Sequence, residues 1–248
     1  PSFSVSGEET SGLKAIRIGM QALQNHEIDL ALAGAVDLCG DVRSIITFSK
    51  SRKLSESKEI YPFDKKADGT LPGEGAAAII MKRLDQARAD GDRIYAVIKG
   101  FGAASGGGIN SSSLSQTAYM ASMRRAFKGA ALKPSSISLF EAHGSGDPDE
   151  DRIEAEAAEN FFTGSDLQQC ALGSLKPNIG HTGAAAGLVS VVKASLCLFQ
   201  EIIPPLRNFK TPACQSLANG AWHMPIQPQY WLRNRSDGPR RACVGALT

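Results

Sequence analysis

Hydrophobic and polar positions follow two periods along the chain, one typical of helices and one typical of strands. Leu13, Ile16, Met20 and Leu23 recur at helical spacing, which predicts a helix that ends near Gln24 or Asn25. Compact or alternating apolar runs predict strands at residues 1–5, 28–36, 75–82, 94–101, 137–142, 171–175 and 241–247. Further helical patterns lie at residues 84–89, 117–129, 153–160 and 184–198. Strands and helices that alternate in this way predict an α/β layered fold.

Three stretches interrupt this pattern. Residues 41–70 are polar and basic, with Pro62 and Gly69 as breakers, and we predict that they form a surface excursion. Glycines and serines at residues 106–113 predict a flexible loop, and the region after Pro204 is rich in proline.

Composition excludes several classes of function. Charged residues make up 21% and hydrophobic residues 42% of the 248 residues, as in ordinary soluble proteins. The net charge is +2, from 27 basic and 25 acidic residues, and aromatic residues are only 6%, so neither charge nor stacking favours nucleic acid as a partner. The apolar runs are too short to span a bilayer, so we expect no membrane contact.

The five cysteines show no pattern of a metal site. None of them forms a CxxC pair or has a histidine at ligand spacing, so we expect no zinc or other metal. Free buried cysteines favour a reducing, cytoplasmic compartment. The chain begins with Pro1 rather than Met, so we expect it to be a piece of a longer protein.

Two histidines follow predicted strands and are flanked by glycine. His143 comes directly after the strand at residues 137–142, and His181 follows Gly180 after the strand at residues 171–175. Binding and catalytic groups of α/β sheets gather at the carboxyl ends of strands. His143 and His181 are therefore candidate functional residues.

Four segments resemble the β-ketoacyl synthases, the condensing enzymes of fatty-acid and polyketide synthesis. Residues 141–148 (EAHGSGDP) and 173–187 (GSLKPNIGHTGAAAG) match the two histidine motifs of that family. Residues 63–75 and 239–242 match two further blocks. The resemblance covers essentially the whole chain.

The resemblance implies a thiolase-like layered αβαβα sandwich that is incomplete at both ends. By the family's pattern, residues 1–93 are the end of the N-terminal half and residues 94–248 form the C-terminal half. Most of the family's N-terminal half is missing, so we expect exposed apolar edges where that half would pack.

The resemblance also implies roles for individual residues. In the family a cysteine is acylated, and two histidines stabilise the enolate and the oxyanion. Those histidine roles are carried over to His143 and His181, and an orienting electrostatic role to Lys176. The substrate carrier is the phosphopantetheine arm of an acyl carrier protein, with no bound cofactor. Residues near the arm are predicted by the same resemblance; they are Ser145, Asp147 and Asn178.

The sequence departs from the family at the nucleophile. The family's cysteine, eight residues after the position of Pro1, is Glu9 here, and a carboxylate cannot form the family's thioester. One interpretation, which we favour on sequence alone, is a capping box in which Ser6 caps a helix and Glu9 occupies its third position. The other places Glu9 in the pocket beside the two histidines.

Acidic and basic residues near the motifs add two expectations. An acidic turn should disfavour the anionic carrier arm; its members are Asp147, Asp149, Glu150 and Asp151. Basic residues could contact an acidic carrier protein, although a solvated loop is the interpretation that we favour; these are Lys50, Arg52, Lys53, Lys58, Lys65 and Lys66.

Three functions remain open at this point. The first is a chain-length-factor-like partner of an active ketosynthase, as a homo- or heterodimer, in a polyunsaturated fatty acid or iterative polyketide synthase. The second is a malonyl-thioester decarboxylase that uses the two histidines, and the third is a purely structural half of a dimer. If the resemblance holds, Glu9, His143, Lys176 and His181 should converge in one pocket.

Overall fold

A computed structural model describes residues 2–106, 114–167, 169–218 and 221–247. The helices are α1 (Ser11–Gln24), α2 (Val42–Ser51), α3 (Leu84–Ala89), α4 (Gln116–Ala130), α5 (Pro148–Phe162), α6 (Lys176–Ile179) and α7 (Ala186–Gln200). The strands are β1 (Leu30–Asp37), β2 (Gly75–Lys82), β3 (Leu139–Glu141), β4 (Cys170–Gly173), β5 (Ile202–Ile203), β6 (Trp222–His223), β7 (Gln229–Tyr230) and β8 (Ala242–Val244). The predicted glycine-rich loop lies almost entirely outside the described residues.

The strands form three sheets. Parallel strands in the order β6-β4-β3-β8 make the largest, while β1 pairs with β2 and β5 with β7 in antiparallel ribbons. In the parallel sheet Glu141 lies opposite Gly173, so the residues that follow β3 and β4 leave the sheet at the same edge. This register brings the two histidine motifs together.

Two helices form a layer between the β1–β2 ribbon and the parallel sheet. Helix α1 packs on β1 and on α7, and α7 contacts β2 on one side and β3 and β8 on the other. A Cβ atom added at Gly12 would lie 2.8 Å from Cβ of Leu188, so glycine is what allows the close approach of α1 and α7. The layering agrees with the predicted α/β class.

The predicted strands at residues 1–5 and 94–101 are wrong. The structure assigns no strand to the described residues 2–5 or to 94–101. In the second segment, side chains form tertiary contacts without strand hydrogen bonds. The ring centroids of Tyr95 and Phe199 are 4.7 Å apart, and the Arg17 guanidinium lies over the Phe101 ring. Alternation predicts a strand only where a neighbouring strand is present to pair with it.

The predicted surface excursion at residues 41–70 is also wrong. It contains helix α2, and four of its later residues are at most 2% exposed; they are Ile60, Phe63, Asp64 and Thr70. The Asp64 carboxylate accepts backbone N–H groups of Lys66, Lys210 and Thr211. Polar residues in this segment satisfy buried backbone groups, which a polarity pattern cannot distinguish from exposure to water.

One face of the β1–β2 ribbon is exposed and apolar. Leu30, Leu32, Val36 and Ile80 are between 54% and 71% exposed, whereas Ala31 and Ala33 on the opposite face are buried against α1. Exposed apolar surface was expected for this chain, and it is observed here.

The helical stretch Gly183–Gln200 is long and apolar enough to cross a membrane, by length and composition alone. From the sequence we expect no apolar run long enough to span a bilayer, so this stretch departs from that expectation. In the structure, helix α7 packs against α1, β2 and β8, and 28% of this stretch is buried.

Candidate active site

Glu9 lies in a short 3₁₀ turn, Glu8–Thr10, that leads directly into α1. The predicted capping box is wrong, because the N-cap of this turn is Gly7 rather than Ser6, and glycine has no side chain that could cap it. Instead, the Ser11 hydroxyl accepts the Gly7 N–H at 3.0 Å and donates to the Glu8 carbonyl at 2.5 Å. With the turn closed by Ser11, the Glu9 carboxylate is free to point inward, and Glu9 is only 5% exposed.

Glu9 and the two candidate histidines converge as predicted. Oε2 of Glu9 lies 3.3 Å from Nε2 of His181 and 3.6 Å from Nε2 of His143. The two imidazole rings are 5.5 Å apart between centroids and steeply inclined at 71°. Both histidines are buried, so three polar groups from three distant parts of the chain face one small space.

Backbone hydrogen bonds set the tautomer of both histidines. The Leu247 N–H donates to Nδ1 of His143 at 3.3 Å, and the Gly183 N–H donates to Nδ1 of His181 at 3.2 Å. Burial, with help from the nearby Lys176 charge, lowers the pKa of both imidazoles well below 6.5. Each neutral ring therefore carries its proton on Nε2 and points an N–H donor at the shared space.

This arrangement suits an oxyanion better than a metal ion. The two Nε2 atoms and a Glu9 oxygen lie within 4.8 Å of one another, which is close enough for three ligands of one metal. A metal, however, needs the imidazole lone pair, and here a backbone N–H already occupies Nδ1 while Nε2 holds the proton. Two convergent N–H donors are the elements of an oxyanion hole.

Arg52, which the sequence placed in a solvated basic loop, belongs to this site. Its guanidinium contacts Oε1 of Glu9 and donates to Oε1 of Glu150 at 3.0 Å. It also lies over the Phe48 ring, whose edge packs on His181. Phe48 and Arg52 are four residues apart at the end of α2. The sequence pattern did not predict this helix, so the spacing did not indicate that the two side chains share one face.

Glu150 completes the charged cluster from the first turn of α5. Its Oε2 atom lies 3.6 Å from Nε2 of His143. Burial acts to raise the pKa of Glu150, but the contact with His143 and the charge of Arg52 lower it below its ordinary value. Arg52 lies between the carboxylates of Glu150 and Glu9 and contacts both of them.

The carboxylates of the acidic turn have partners within the fold, and their expected effect on a carrier arm stays a prediction. Besides Glu150, which pairs with Arg52, Asp147 caps helix α5 by accepting the N–H groups of Asp149 and Glu150. Asp151 is buried and accepts the N–H of Phe63 at 2.7 Å, and its burial raises its pKa to about 8. Asp147 and Asp151 thus serve the local fold by accepting backbone N–H groups.

Lys176 and Glu154 hold the backbone around His143. The Lys176 ammonium donates to the His143 carbonyl, and burial lowers the pKa of Lys176 to about 8. Glu154 accepts the N–H groups of His143 and Gly144, each at 2.8 Å, and the Tyr119 hydroxyl at 2.6 Å. Lys176 thus joins the predicted pocket through the backbone of His143, and Glu154 is a supporting residue that the sequence analysis did not single out.

Comparisons with known proteins show the family of the chain. The family model described as "Beta-ketoacyl synthase, N-terminal domain" matches residues 1–87, and "Beta-ketoacyl synthase, C-terminal domain" matches residues 95–210. Polyketide synthase PksL of Bacillus subtilis is 38% identical over 253 residues, and a mycocerosic acid synthase-like polyketide synthase of Mycolicibacterium smegmatis is 37% identical over 248. The chain belongs to the β-ketoacyl synthase family. It matches ketosynthase domains and spans only 6% and 12% of those two relatives.

Solved ketosynthases share the fold. The ketosynthase from module 6 of the bacillaene synthase of Bacillus subtilis superposes with a TM-score of 0.89 at 37% identity, over 96% of this chain and 43% of that one. Ketosynthase twelve of the bacillaene synthase of Bacillus amyloliquefaciens gives 0.88 at 26% identity, over 98% and 44%. The predicted thiolase-like α/β fold is confirmed. The boundary near residue 93 between the two halves stays a prediction.

The predicted substrate-binding residues of this ketosynthase-family chain occupy different places. Ser145 is fully buried and accepts the N–H of Asp147 at 3.1 Å, in the turn that leads to Glu150. Asn178 is exposed on α6 and lines a surface cleft of about 570 Å³ with residues 204–209. Asn178 is thus exposed whereas the two imidazoles are buried, and contact of the predicted residues with a carrier arm stays a prediction.

The cysteines of the chain occupy settings that disfavour a nucleophile. Cys170 lies in β4 and Cys243 in β8, and desolvation raises the pKa of both thiols, as it does for Cys197 and Cys39. A thiol acts as a nucleophile when its pKa is lowered.

Acid is expected to destabilise the protein through His143 and His181. Because both stay neutral when folded while the unfolded chain protonates them below pH 6.5, their contribution to stability rises with pH and is lost as the pH falls below that value. Asp151 acts in the opposite direction up to about pH 8, because its raised pKa keeps a proton on the folded carboxyl group, so the histidine contribution is read from differences between variants. Each histidine contributes a slope of up to about 1.4 kcal/mol per pH unit. Urea unfolding between pH 5 and 7.5 measures how the free energy of unfolding depends on pH. His181→Asn should remove about half of the combined slope, whereas the same change at exposed His223 should leave it intact.

Proposed function

We propose that this chain is part of a ketosynthase-type domain that does not condense acyl groups. In this proposal it acts as a chain-length-factor-like partner of an active ketosynthase, during carbon-chain elongation on acyl groups held by a carrier protein. The observation that carries the proposal is the Glu9 carboxylate, whose Oε2 faces Nε2 of both His143 and His181. By the family's pattern, Glu9 stands where the acylated cysteine would be.

The position of Glu9 explains why condensation should fail. Transfer of an acyl group from a carrier thioester needs a thiolate at this position, and a carboxylate would form only a reactive mixed anhydride. In addition, Oε2 of Glu9 lies in the space towards which both imidazole N–H groups point. A thioester oxygen or an enolate would compete there with a resident anion, which favours a partner role over catalysis.

Malonyl-thioester decarboxylation is the second candidate, and one observation favours it. Among the described residues, no acceptor meets the buried Nε2 atoms of His143 and His181 with full hydrogen-bond geometry, although both are donors. In decarboxylation the bond to the malonyl carboxylate breaks, carbon dioxide leaves, and the electron pair moves to the thioester oxygen. Two N–H donors would stabilise that enolate once Glu9 had moved away from them.

The names of the relatives support a proposal for the pathway and the partners of the chain. The relatives are polyketide synthases, which supports polyketide assembly, an acyl carrier protein with its phosphopantetheine arm, and a second ketosynthase chain as partners. We also propose a cytoplasmic location, because all five cysteines are free in the structure.

Labelled malonyl-carrier protein distinguishes the two candidates. For a partner role we expect release of labelled carbon dioxide by the full-length protein to stay at background, while a Glu9→Ala variant, with its donors uncovered, gains release. His181→Ala in that variant should abolish the gain, and His223→Ala, at an exposed histidine, should not. Release by the unmodified protein that depends on His181 would instead establish the decarboxylase and overturn the partner role.

A further inference from the structure

We propose that Arg52 is a positioning residue that holds the Glu9 carboxylate between the imidazoles of His143 and His181. The inference deepens the proposed function and rests on it for the importance of Glu9. It assigns the task to a residue of α2's C-terminal end, outside the histidine motifs and outside the position of the nucleophile.

The two carboxylate oxygens of Glu9 have different contacts. Oε1 contacts the Arg52 guanidinium, and Oε2 faces the two imidazoles. A rotation of the carboxylate away from the imidazoles would break the contact with Arg52. Arg52 therefore fixes the orientation in which Glu9 covers the two N–H donors.

Arg52 also joins two carboxylates that face the same histidine. Glu9 and Glu150 come from different elements, yet one oxygen of each lies 3.6 Å from the same atom, Nε2 of His143. Because His143 is neutral, it does not offset both charges. The guanidinium does so, since its separate N–H groups reach Oε1 of Glu9 and Oε1 of Glu150 at the same time. A lysine ammonium lacks the planar fork that spans two carboxylates in fixed positions.

Contacts with helix α2 hold Arg52 in place. It caps the C-terminus of α2, and its backbone N–H donates to the Phe48 carbonyl at 2.9 Å. Its guanidinium lies over the Phe48 ring, which in turn packs edge-on against His181 at 5.8 Å between centroids. With only 17% of its side chain exposed, Arg52 is part of the wall of the site.

A thiol placed at position 9 reports the charge of Arg52 directly. In the full-length protein carrying Glu9→Cys, the rate of alkylation by iodoacetamide follows the thiolate fraction as the pH is varied. Adding Arg52→Gln should move this profile to higher pH by about one unit, which lowers the rate at a fixed neutral pH by about tenfold, or roughly 1.4 kcal/mol. Arg52→Lys should give a smaller shift. Lys50→Met, at an exposed lysine of the same helix, should give none.

The outcomes separate an electrostatic contact of Arg52 with the side chain at position 9, which the positioning role requires, from mere packing. If Arg52 only packs on Phe48, the alkylation profile stays where it is in both Arg52 variants, and the proposal is overturned. Should Arg52→Gln fail to fold by circular dichroism, the Arg52→Lys profile decides. The alkylation assay needs no partner protein and does not measure carbon dioxide. The role of Arg52 can therefore be rejected while the proposed function holds, and the proposed function can be rejected while the role of Arg52 holds.

Discussion

Replacement of Glu154 by alanine is expected to lower the free energy of unfolding by about 3 kcal/mol or more. The carboxylate is buried and accepts three hydrogen bonds, from the backbone of His143, the backbone of Gly144 and the hydroxyl of Tyr119. Alanine leaves all three donors without an acceptor in a dry environment, where each orphaned group costs about 1–3 kcal/mol. The burial that raises the pKa of Glu154 is relieved by the change, which offsets part of the loss.

Urea denaturation of the full-length protein at pH 7 measures this loss. Glu154→Gln keeps one acceptor oxygen and should cost less than alanine. Glu156→Ala is the matched control on the same helix, since its partner Arg152 is half exposed and such pairs contribute at most about 1 kcal/mol. Equal losses at positions 154 and 156 would show that Glu154 does not support the backbone of His143.

Replacement of Glu9 by cysteine is expected to create a site that a carrier-bound or small acyl thioester acylates. The side chain at position 9 lies at the start of α1 beside two neutral imidazoles, and a helix N-terminus favours a thiolate. We expect labelling to rise from background to nearly one acyl group per chain, with complete block by a cysteine-directed inhibitor.

The controls for this gain are close in structure. Glu9→Ala opens the same space without a nucleophile and should stay unlabelled, as should the unmodified protein, whose cysteines have raised thiol pKa values. If Glu9→Cys also stays unlabelled while it folds normally, the pocket does not accept an acyl group, and the purely structural role of the domain is favoured over the other two.

The sequence by itself determined the elements whose signals are local. The apolar run at residues 75–82 predicted β2 with its observed bounds, and the helical stripe ending at Gln24 predicted the end of α1. His143 and His181 were found because each follows a strand whose apolar run is visible in the sequence. Parallel strands then bring their carboxyl ends to one edge, and this also makes the convergence of the two histidines predictable.

Only the tertiary structure decided what surrounds Glu9. Within the sequence, Ser6 and Glu9 form an ordinary capping pattern, and the choice of Ser11 as the residue that closes the turn depends on how the turn packs. Arg52 and Glu150 are 98 residues apart, and no local period links them to each other or to Glu9. The pairing of buried charges depends on distances between elements, and these are set by packing rather than by the order of residues along the chain.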